Sequence, residues 1–476
     1  MFDVTVIGAG VTGCAIAREL SKYKLNICVL EKEVDLSCGT SKANSGIVHA
    51  GEDPLPGTFK AKMNVRGNEL FHKLQKELDF PFKRNESLVL CFNKEDIYKL
   101  EELRQRGIKN GIPDNMKILN REEALKLEPA LSDKVVAALT LPTGGIVCPY
   151  ELTIALAENA NMNGVEFLFE RKVQEIEKRE GYYILQTNKG NIETKLVINA
   201  AGLYGDEINN MVSSIKYEII ARKGEYILFD KAVGNMVTRT LFQLPTKMGK
   251  GVLVTPTVDG NLLMGPTSLD IEDKANVETT EEGLNSILQK AKLMVKEIPT
   301  KQIITSFAGL RAHEVNGDFI IGEAEDAKNF INAIGIESPG LTSAPAIGEY
   351  ITNIVVEKLK PEKKENFNAI RKAMPKFREL SNEKRKELIK KDPAFGRIVC
   401  RCETITEGEI RNAIRRPLGA KTIDGIKRRT RAGMGRCQSG FCLNRVVDIL
   451  SDELNISRRQ VTKFGNDSKL LMDKGQ

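Results

Sequence analysis

Four of the nine cysteines lie close together near the carboxyl end of the sequence. Cys400 and Cys402 are spaced C-x-C, and Cys437 and Cys442 are spaced C-x4-C, whereas the other five cysteines are scattered. In a chain without an export signal, such thiols are expected to be free or metal-bound. Paired thiolates bind zinc or iron–sulfur clusters, and the pairs of zinc ribbons are usually spaced C-x2-C. The spacing therefore predicts a metal or redox centre with these four cysteines as ligands.

The residues around these cysteines favour an iron–sulfur cluster. Four thiolates leave the centre anionic, and nearby glycines leave backbone N–H groups available to the sulfur atoms. The arginines close to the cysteines in sequence are Arg401, Arg428, Arg429, Arg431 and Arg436. We expect a [2Fe–2S] cluster, with structural zinc and a vestigial empty site as the alternatives.

A second chemical signal is the G-x-G-x-x-G segment at residues 8–13. The apolar run at 2–7 predicts a buried strand before it, a helical pattern follows, and 25–30 predict a second strand that ends at Glu31. Gly8 allows the tight turn, and the following glycines let a pyrophosphate and the helix approach the backbone closely. Strand, helix, acid and spacing together predict a dinucleotide site, against a glycine-rich turn in an unrelated α/β fold.

Two further segments favour FAD over a nicotinamide. Residues 194–202 end a predicted strand in Ala-Ala-Gly, which resembles the second fingerprint of two-dinucleotide-fold flavoproteins. A strand at 330–335 runs into the loop 338–345 and then a helix. This arrangement places amides and a helix N-terminus where they would stabilise negative charge on a flavin ring.

Several motifs resemble the glycerol-3-phosphate oxidase/dehydrogenase branch of the FAD-dependent amino- and hydroxy-acid oxidoreductases. They are Ser41–Gly51, Arg222–Tyr226, Gly249–Val252, Gly265–Thr267, Ser306–Arg311 and Ser338–Thr342. The resemblance covers roughly residues 1–358. The L-2-hydroxyglutarate oxidoreductases share N-S-G-x-x-H-x-G, so this segment alone does not name the substrate. The fingerprints and the resemblance imply cofactor contacts at Gly8, Gly10, Gly13, Glu31, Thr40, Ser41, Asn44, Ser45, Val173, Ala201, Gly202, Gly335, Pro339, Gly340, Leu341 and Thr342.

Oxidation of a secondary alcohol needs a base that titrates near neutral pH, which favours histidine. The chain has three, His49, His72 and His313. His72 lies in an amphipathic helical pattern and His313 is unassigned, whereas His49 matches the catalytic histidine of the resembled family. The alternative for His49 is a bond to flavin or backbone only.

The resemblance also implies a substrate site that binds an anionic group. Arg311 can grip a carboxylate or phosphate with two parallel bonds, although a structural ion pair is its alternative role. Lys250 and Ser338 match substrate-side positions. We expect His49, Arg311 and Lys250 to act in catalysis, with Arg311, Lys250 and Ser338 binding a small anionic hydroxy substrate.

The four-cysteine region resembles the bacterioferritin-associated-ferredoxin-like (BFD-like) [2Fe–2S] domain, which is also appended to anaerobic glycerol-3-phosphate and amine dehydrogenase subunits. In the stand-alone ferredoxins of this type the second pair of cysteines is closer together than C-x4-C, whereas the appended domains tolerate C-x4-C. Helical patterns at 403–415 and 443–455 flank the cysteines, and Thr406 to Glu409 predict a helix cap.

The expected fold class is α/β, a two-dinucleotide-binding-type FAD fold with an interleaved α+β substrate domain, followed by a small helical domain. The FAD lobe is expected at about 1–75, 145–215 and 305–358, and a mostly antiparallel substrate lobe at about 76–144 and 216–304. These lobes form an oxidoreductase domain, 1–359. A solvated linker with one helical segment (360–392) and the cluster domain (393–476) follow.

Composition limits the location and the partners. A chain of 476 residues with 41% hydrophobic residues predicts several domains, and no apolar run approaches a membrane span. The first strand begins directly after Met1, so we expect a cytoplasmic protein, with any membrane association made through a partner. The net charge of +7 is concentrated after residue 357. Because no nucleic-acid motif and no Trp accompany it, charge compensation is favoured over nucleic-acid binding.

These features predict an FAD-dependent dehydrogenase that oxidises glycerol 3-phosphate to dihydroxyacetone phosphate by hydride transfer to FAD. An oxidase needs only its flavin, whereas a fused one-electron centre favours transfer through [2Fe–2S] to a partner flavoprotein or electron-acceptor subunit. The alternatives are an L-2-hydroxyglutarate or amino-acid dehydrogenase and, in another class, a non-catalytic redox module.

Overall fold

The computed structural model describes residues 1–245 and 251–471. Its strands are β1 (Phe2–Ile7), β2 (Ile27–Leu30), β3 (Ile47–Val48), β4 (Phe82–Lys83), β5 (Ser87–Cys91), β6 (Ile118–Asn120), β7 (Ala137–Leu141), β8 (Gly145–Val147), β9 (Glu166–Leu168), β10 (Val173–Arg179), β11 (Tyr182–Thr187), β12 (Gly190–Asn199), β13 (Ile219–Phe229), β14 (Thr240–Gln243), β15 (Leu253–Pro256), β16 (Leu262–Gly265), β17 (Leu269–Ile271), β18 (Ile303–Glu314), β19 (Ile320–Ala324), β20 (Ala327–Ile334), β21 (Ile398–Cys400) and β22 (Ile405–Thr406). Its helices are α1 (Val11–Leu20), α2 (Phe59–Leu78), α3 (Ile97–Asn110), α4 (Arg121–Leu127), α5 (Pro149–Met162), α6 (Gly205–Asn210), α7 (Glu281–Ala291), α8 (Gly340–Leu359), α9 (Asn382–Lys391), α10 (Glu407–Arg415), α11 (Ile423–Thr430) and α12 (Leu443–Leu454).

The first sheet has a parallel centre in the order β20-β12-β1-β2-β9, and β10, β11 and β19 extend it by antiparallel pairing. Its central strands are buried on both faces, which explains their near-continuous apolar sequences. Helices α1, α5 and α8 contribute to the hydrophobic core that covers it. The carboxyl ends of the parallel strands meet at one edge, where ligands bind in such sheets.

The second sheet follows the order β17-β13-β16-β15-β14-β5-β7-β6, with β18 paired to β13. Its pairs are antiparallel except for β5 and β14, as the expected substrate lobe requires. One strand of the expected FAD lobe belongs to this sheet, because β18 pairs with β13 over residues 303–314. Its partner strand β13 is about 80 residues away in the sequence, so local patterns did not reveal this pairing.

The segment 360–392 is not a solvated linker along its whole length. Arg371 is 7% exposed, and its guanidinium donates to Glu158 at 2.8 Å and to the Leu78 carbonyl at 3.1 Å. Only the later part matches the expectation, because α9 has no buried residue. Charged side chains that look solvated in sequence are therefore used here to attach the segment to the FAD domain.

The C-terminal domain packs α10, α11 and α12 around a hydrophobic core of its own. The predicted cap is confirmed, because Thr406 and Glu409 form a reciprocal capping box at the start of α10. Across the described part of the chain, every helix is too short or too polar to cross a bilayer.

Candidate functional site

One cavity of about 1390 Å³ runs between the first and second sheets. Most of the predicted site residues line it, namely Gly8, Gly10, Glu31, Thr40, Ser41, Asn44, Ser45, His49, Val173, Ala201, Gly202, Arg311, Ser338, Pro339, Gly340 and Leu341. Its volume exceeds that of a typical drug-sized pocket, as an extended dinucleotide requires. The structure thus brings the FAD fingerprints together with His49 and Arg311, two of the three proposed catalytic residues, in a single space.

The nucleotide end of this cavity is formed largely by backbone. Gly8 has φ +107°, and a Cβ on it would lie 2.4 Å from the Ala200 carbonyl oxygen. A Cβ on Gly13 would lie 2.0 Å from the Gly8 oxygen, so α1 can pack against β1 only through glycine. The residues present therefore fit a pyrophosphate lying close to the chain.

Glu31 directly follows β2, and two backbone N–H groups hold its carboxylate in place. The N–H groups of Ala9 and Glu33 donate to its two oxygens at 2.8 and 2.9 Å. Burial raises the pKa of the Glu31 carboxyl, while these two bonds act in the opposite direction. Ser41 attaches the neighbouring part of the cavity wall to α1, because its hydroxyl accepts a hydrogen bond from the first-turn N–H of Val11 at 2.9 Å.

Three of the predicted residues are placed differently. Gly13, Gly335 and Thr342 do not line the cavity as the described residues bound it. Gly13 packs against Gly8, and Gly335 packs against Glu314. Both glycines therefore allow close packing around the cavity without lining it. Lys250 lies outside the described residues, and its substrate role stays a prediction.

His49 follows β3 and is positioned by two helices. Its N–H donates to the Thr342 hydroxyl in α8 at 2.9 Å, and its carbonyl accepts from Asn64 and Asn68 of α2 at 3.0 and 2.8 Å. The two helices approach closely, since a Cβ on Gly67 would lie 2.0 Å from the Thr342 carbonyl oxygen. Asn64 and Asn68 carry no motif and were missed by the sequence analysis, which named Thr342 only as a cofactor contact.

The His49 side chain faces the cavity. Its Nε2 lies 3.4 Å from the Ser338 hydroxyl, and its ring centroid lies 5.7 Å from that of Phe242. Ser338 comes from the loop before α8, whereas Phe242 comes from β14 of the second sheet. His49 therefore stands where both sheets and the α8 loop converge.

Arg311 reaches the cavity from β18. The register pairs it with Arg222 of β13, and the Arg222 guanidinium forms a bidentate ion pair with Asp270 at 2.6 and 2.9 Å. Arg311 Nη2 donates to the Thr267 carbonyl at 3.0 Å. Among the described residues no carboxylate forms an ion pair with Arg311, which argues against the purely structural alternative.

A charged group beside the α8 loop was not predicted. Glu337 accepts from Lys60 Nζ at 2.7 Å and lies 3.1 Å from His313 Nδ1. Burial raises the pKa of the Glu337 carboxyl, but Lys60 and His313 outweigh it and the net direction is downward. Lys60 and Glu337 line the cavity, whereas His313 does not. The sequence around Lys60 did not indicate that its side chain contacts Glu337.

The four C-terminal cysteines form two contacting pairs. The bond from the Cys442 thiol lowers the pKa of Cys400 to about 6 against the effect of burial, and the Gly433 N–H acts in the same direction as that bond. The free thiols of Cys402 and Cys437 also form a hydrogen bond with each other. A Cβ on Gly435 would lie 2.3 Å from the Cys402 Cβ, so glycine is needed for this close approach.

The spacing of these pairs bears on the metal. Within the described residues, no three of the four sulfurs lie within 4.8 Å of one another. A tetrahedral zinc site holds its sulfurs roughly 3.8 Å apart. Two separate pairs fit two irons, with two thiolates for each, better than one zinc ion.

The expected role of the nearby arginines is only partly correct. Arg428 and Arg429 are buried and paired with Asp35 of the FAD domain at 2.7–2.8 Å. Arg431 is paired with Asp259 and Glu403 at 2.8 and 2.9 Å. These side chains attach the C-terminal domain to the FAD domain, and their charges are neutralised there by carboxylates.

The whole chain is similar to known proteins. The family model for FAD dependent oxidoreductase matches residues 3–354, and that for the BFD-like [2Fe-2S] binding domain matches residues 398–452. A glycerol 3-phosphate dehydrogenase from Caloramator mitchellensis is 55% identical over 99% of this chain and 98% of its own length.

Two relatives from Mycoplasma match the first part of the chain. A glycerol 3-phosphate oxidase from Mycoplasma genitalium is 36% identical over 77% of this chain and 97% of its own. A dithionite-reduced L-alpha-glycerophosphate oxidase from Mycoplasma pneumoniae with FAD bound is 36% identical, with a TM-score of 0.75 over 79% of this chain and 99% of its own. The predicted fold class and both predicted cofactors, FAD and [2Fe–2S], are confirmed.

Proposed function

Because this chain belongs to the FAD dependent oxidoreductase family and carries a BFD-like [2Fe-2S] binding domain, we propose that it oxidises glycerol 3-phosphate to dihydroxyacetone phosphate. The observation that carries the proposal is that His49 and Arg311 line the same cavity as the FAD fingerprints. The 55% identity to a glycerol 3-phosphate dehydrogenase supports this substrate over other hydroxy acids.

Arg311 is the proposed anchor for the phosphate. Its guanidinium keeps N–H groups beyond the one that Thr267 accepts, and it has no carboxylate partner among the described residues. An arginine can bind a phosphate through two parallel charge-assisted bonds. The neighbouring Arg222 is neutralised by Asp270, so the like charge beside Arg311 is reduced.

His49 is the proposed base. In its neutral form the imidazole can accept the substrate hydroxyl proton at Nε2, the atom that faces the cavity. Thr342, Asn64 and Asn68 hold the His49 backbone from both sides, which limits the motion of the ring. Bound FAD supplies the hydride acceptor for this reaction.

We propose that electrons leave the flavin one at a time through the cluster of the C-terminal domain. The cluster site reaches the surface, because Cys402 is exposed and Phe441, which lies between Cys437 and Cys442 in the sequence, is 87% exposed. Aromatic side chains are enriched at the centres of protein interfaces. We propose that an electron-acceptor protein binds there.

Anaerobic bleaching of the flavin by candidate substrates tests the proposal. The full-length enzyme is mixed without oxygen with glycerol 3-phosphate, L-2-hydroxyglutarate or proline, and flavin absorbance is followed. We expect rapid bleaching by glycerol 3-phosphate alone. Faster bleaching by L-2-hydroxyglutarate or proline would assign the enzyme to that substrate class, and no bleaching by any of them would favour a non-catalytic redox module.

A further inference from the structure

The wall of the FAD cavity is not made by the FAD domain alone. Five residues of the C-terminal domain line it, namely Asp424, Arg428, Lys463, Phe464 and Asn466. They come from α11 and from the segment that follows α12. This segment lies against α11, because the Ile423 and Asp424 N–H groups donate to the carbonyls of Thr462 and Lys463.

These residues stand at the nucleotide end of the cavity. Asp35, four positions after Glu31, binds Arg428 at 2.8 Å and Arg429 at 2.7 Å. Arg428 Nη2 also lies 3.6 Å from the Cys38 sulfur, in the loop that leads to Thr40 and Ser41. A Cβ on Gly465 would lie 2.8 Å from Val34, so the C-terminal segment touches the same loop.

Arg428 keeps a donor that the described residues do not use. The residue is 5% exposed, and its bonds to Asp35 and Cys38 both come from Nη2. Nη1 makes no hydrogen bond among the described residues and is not one of the fully buried atoms, in contrast to Nε. A ligand in the cavity that Arg428 lines can therefore accept from Nη1.

We propose that Arg428 is a cofactor-binding residue, which donates from the C-terminal domain to an acceptor oxygen on the ADP half of FAD. Lys463, whose Nζ lies 3.0 Å from Asp424, adds a second cation at the rim of the cavity. Docking of the cluster domain then completes the flavin site. The inference rests on FAD occupancy and is independent of the substrate proposal.

The expected effect is weaker retention of FAD and not its loss. The glycerophosphate oxidase from Mycoplasma pneumoniae holds FAD, although it matches only 79% of this chain. One charge-assisted bond from a buried arginine corresponds to about a 10-fold or larger change in affinity.

The chain offers a matched control for this contact. Arg416 is also a C-terminal-domain arginine bound to a buried carboxylate of the FAD domain, with Glu158 at 2.6 and 2.9 Å. It does not line the FAD cavity within the described residues. Arg416→Ala therefore perturbs domain docking without removing a proposed cofactor contact.

The test measures FAD release from full-length holoenzyme by the rise in flavin fluorescence after dilution, with iron content checked in parallel. We expect Arg428→Ala to release FAD about 10-fold faster than the wild type, and Arg416→Ala to stay near it. Arg428→Lys keeps a cation for Asp35 but lacks Nη1, so we expect an intermediate rate.

The Arg416→Ala control distinguishes loss of the proposed cofactor contact from weaker docking of the C-terminal domain. Equal acceleration in Arg428→Ala and Arg416→Ala would show that domain docking matters and not the contact, and would overturn the proposal. A wild-type release rate in Arg428→Ala would overturn it as well. If Arg428→Ala fails to fold, Arg428→Lys decides, with a wild-type rate counting against the proposal. Substrate-driven bleaching is not used, so failure here is distinguishable from failure of the substrate assignment.

Discussion

The glycine turn at the nucleotide end of the cavity is fixed by backbone contacts, whereas the catalytic end is lined by side chains from distant segments. At the turn, Gly8 and Gly13 leave no room for a Cβ. At the catalytic end, His49 and Arg311 are placed by partners in other strands and helices. Changes to the glycine turn should therefore abolish cofactor binding, whereas changes at the catalytic end should spare the cofactor and slow the reaction.

The largest effect is expected at the nucleotide end. Gly13→Ala would place a Cβ 2.0 Å from the Gly8 carbonyl oxygen, which neither backbone can avoid without separating α1 from β1. We expect protein without bound FAD, measured as the flavin-to-protein ratio after purification. Gly39→Ala is the control, because Gly39 also lines the cavity but its Cβ would meet nothing within 4 Å. A full flavin complement in Gly13→Ala would contradict the comparison.

The second effect concerns the base. His49→Asn should keep FAD and lower the rate of anaerobic bleaching by glycerol 3-phosphate roughly 10²-fold or more, because proton transfer loses its acceptor. Stopped-flow absorbance of the flavin measures this rate. An unchanged rate would remove His49 from the mechanism.

The third effect separates binding from chemistry. Arg311→Ala should raise the substrate concentration for half-maximal bleaching about 10- to 100-fold, since a charge-assisted contact is lost. Arg311→Lys keeps the charge without the planar fork and should fall between the two. A variant with unchanged half-saturation would mean that another cation binds the anionic group.

The smallest effect tests how His49 is positioned. Thr342→Val removes the hydroxyl that accepts the His49 N–H and donates to the Ile47 carbonyl. We expect bleaching to slow by about 5- to 10-fold with FAD retained. Thr342→Ser keeps the hydroxyl and should restore the rate. If Thr342→Ser is as slow as Thr342→Val, packing and not the hydrogen bond is responsible.

Features set by neighbouring residues were predictable from the sequence. The strand, turn and helix around Gly8 form within a few residues, and so does the capping box at Thr406 and Glu409. Their geometry depends on local spacing, which a single sequence displays directly.

Features set by distant residues were not predictable. Lys60 and Glu337 meet only because α2 and the α8 loop pack together, and Asp35 gains its arginine partners only when the cluster domain docks. The sheet position of β18 likewise depends on pairing with β13 across the substrate domain. A run of charges in sequence does not show whether tertiary packing will bury it.

The most direct test of the central claim follows both chromophores in one experiment. Full-length enzyme is mixed anaerobically with glycerol 3-phosphate, and flavin absorbance is recorded alongside the electron paramagnetic resonance signal of the cluster. The account predicts that the flavin bleaches first and that a reduced-cluster signal then appears in proportion to the protein. Flavin bleaching with no cluster signal would contradict the proposed electron route, and an unbleached flavin would contradict the proposed function itself.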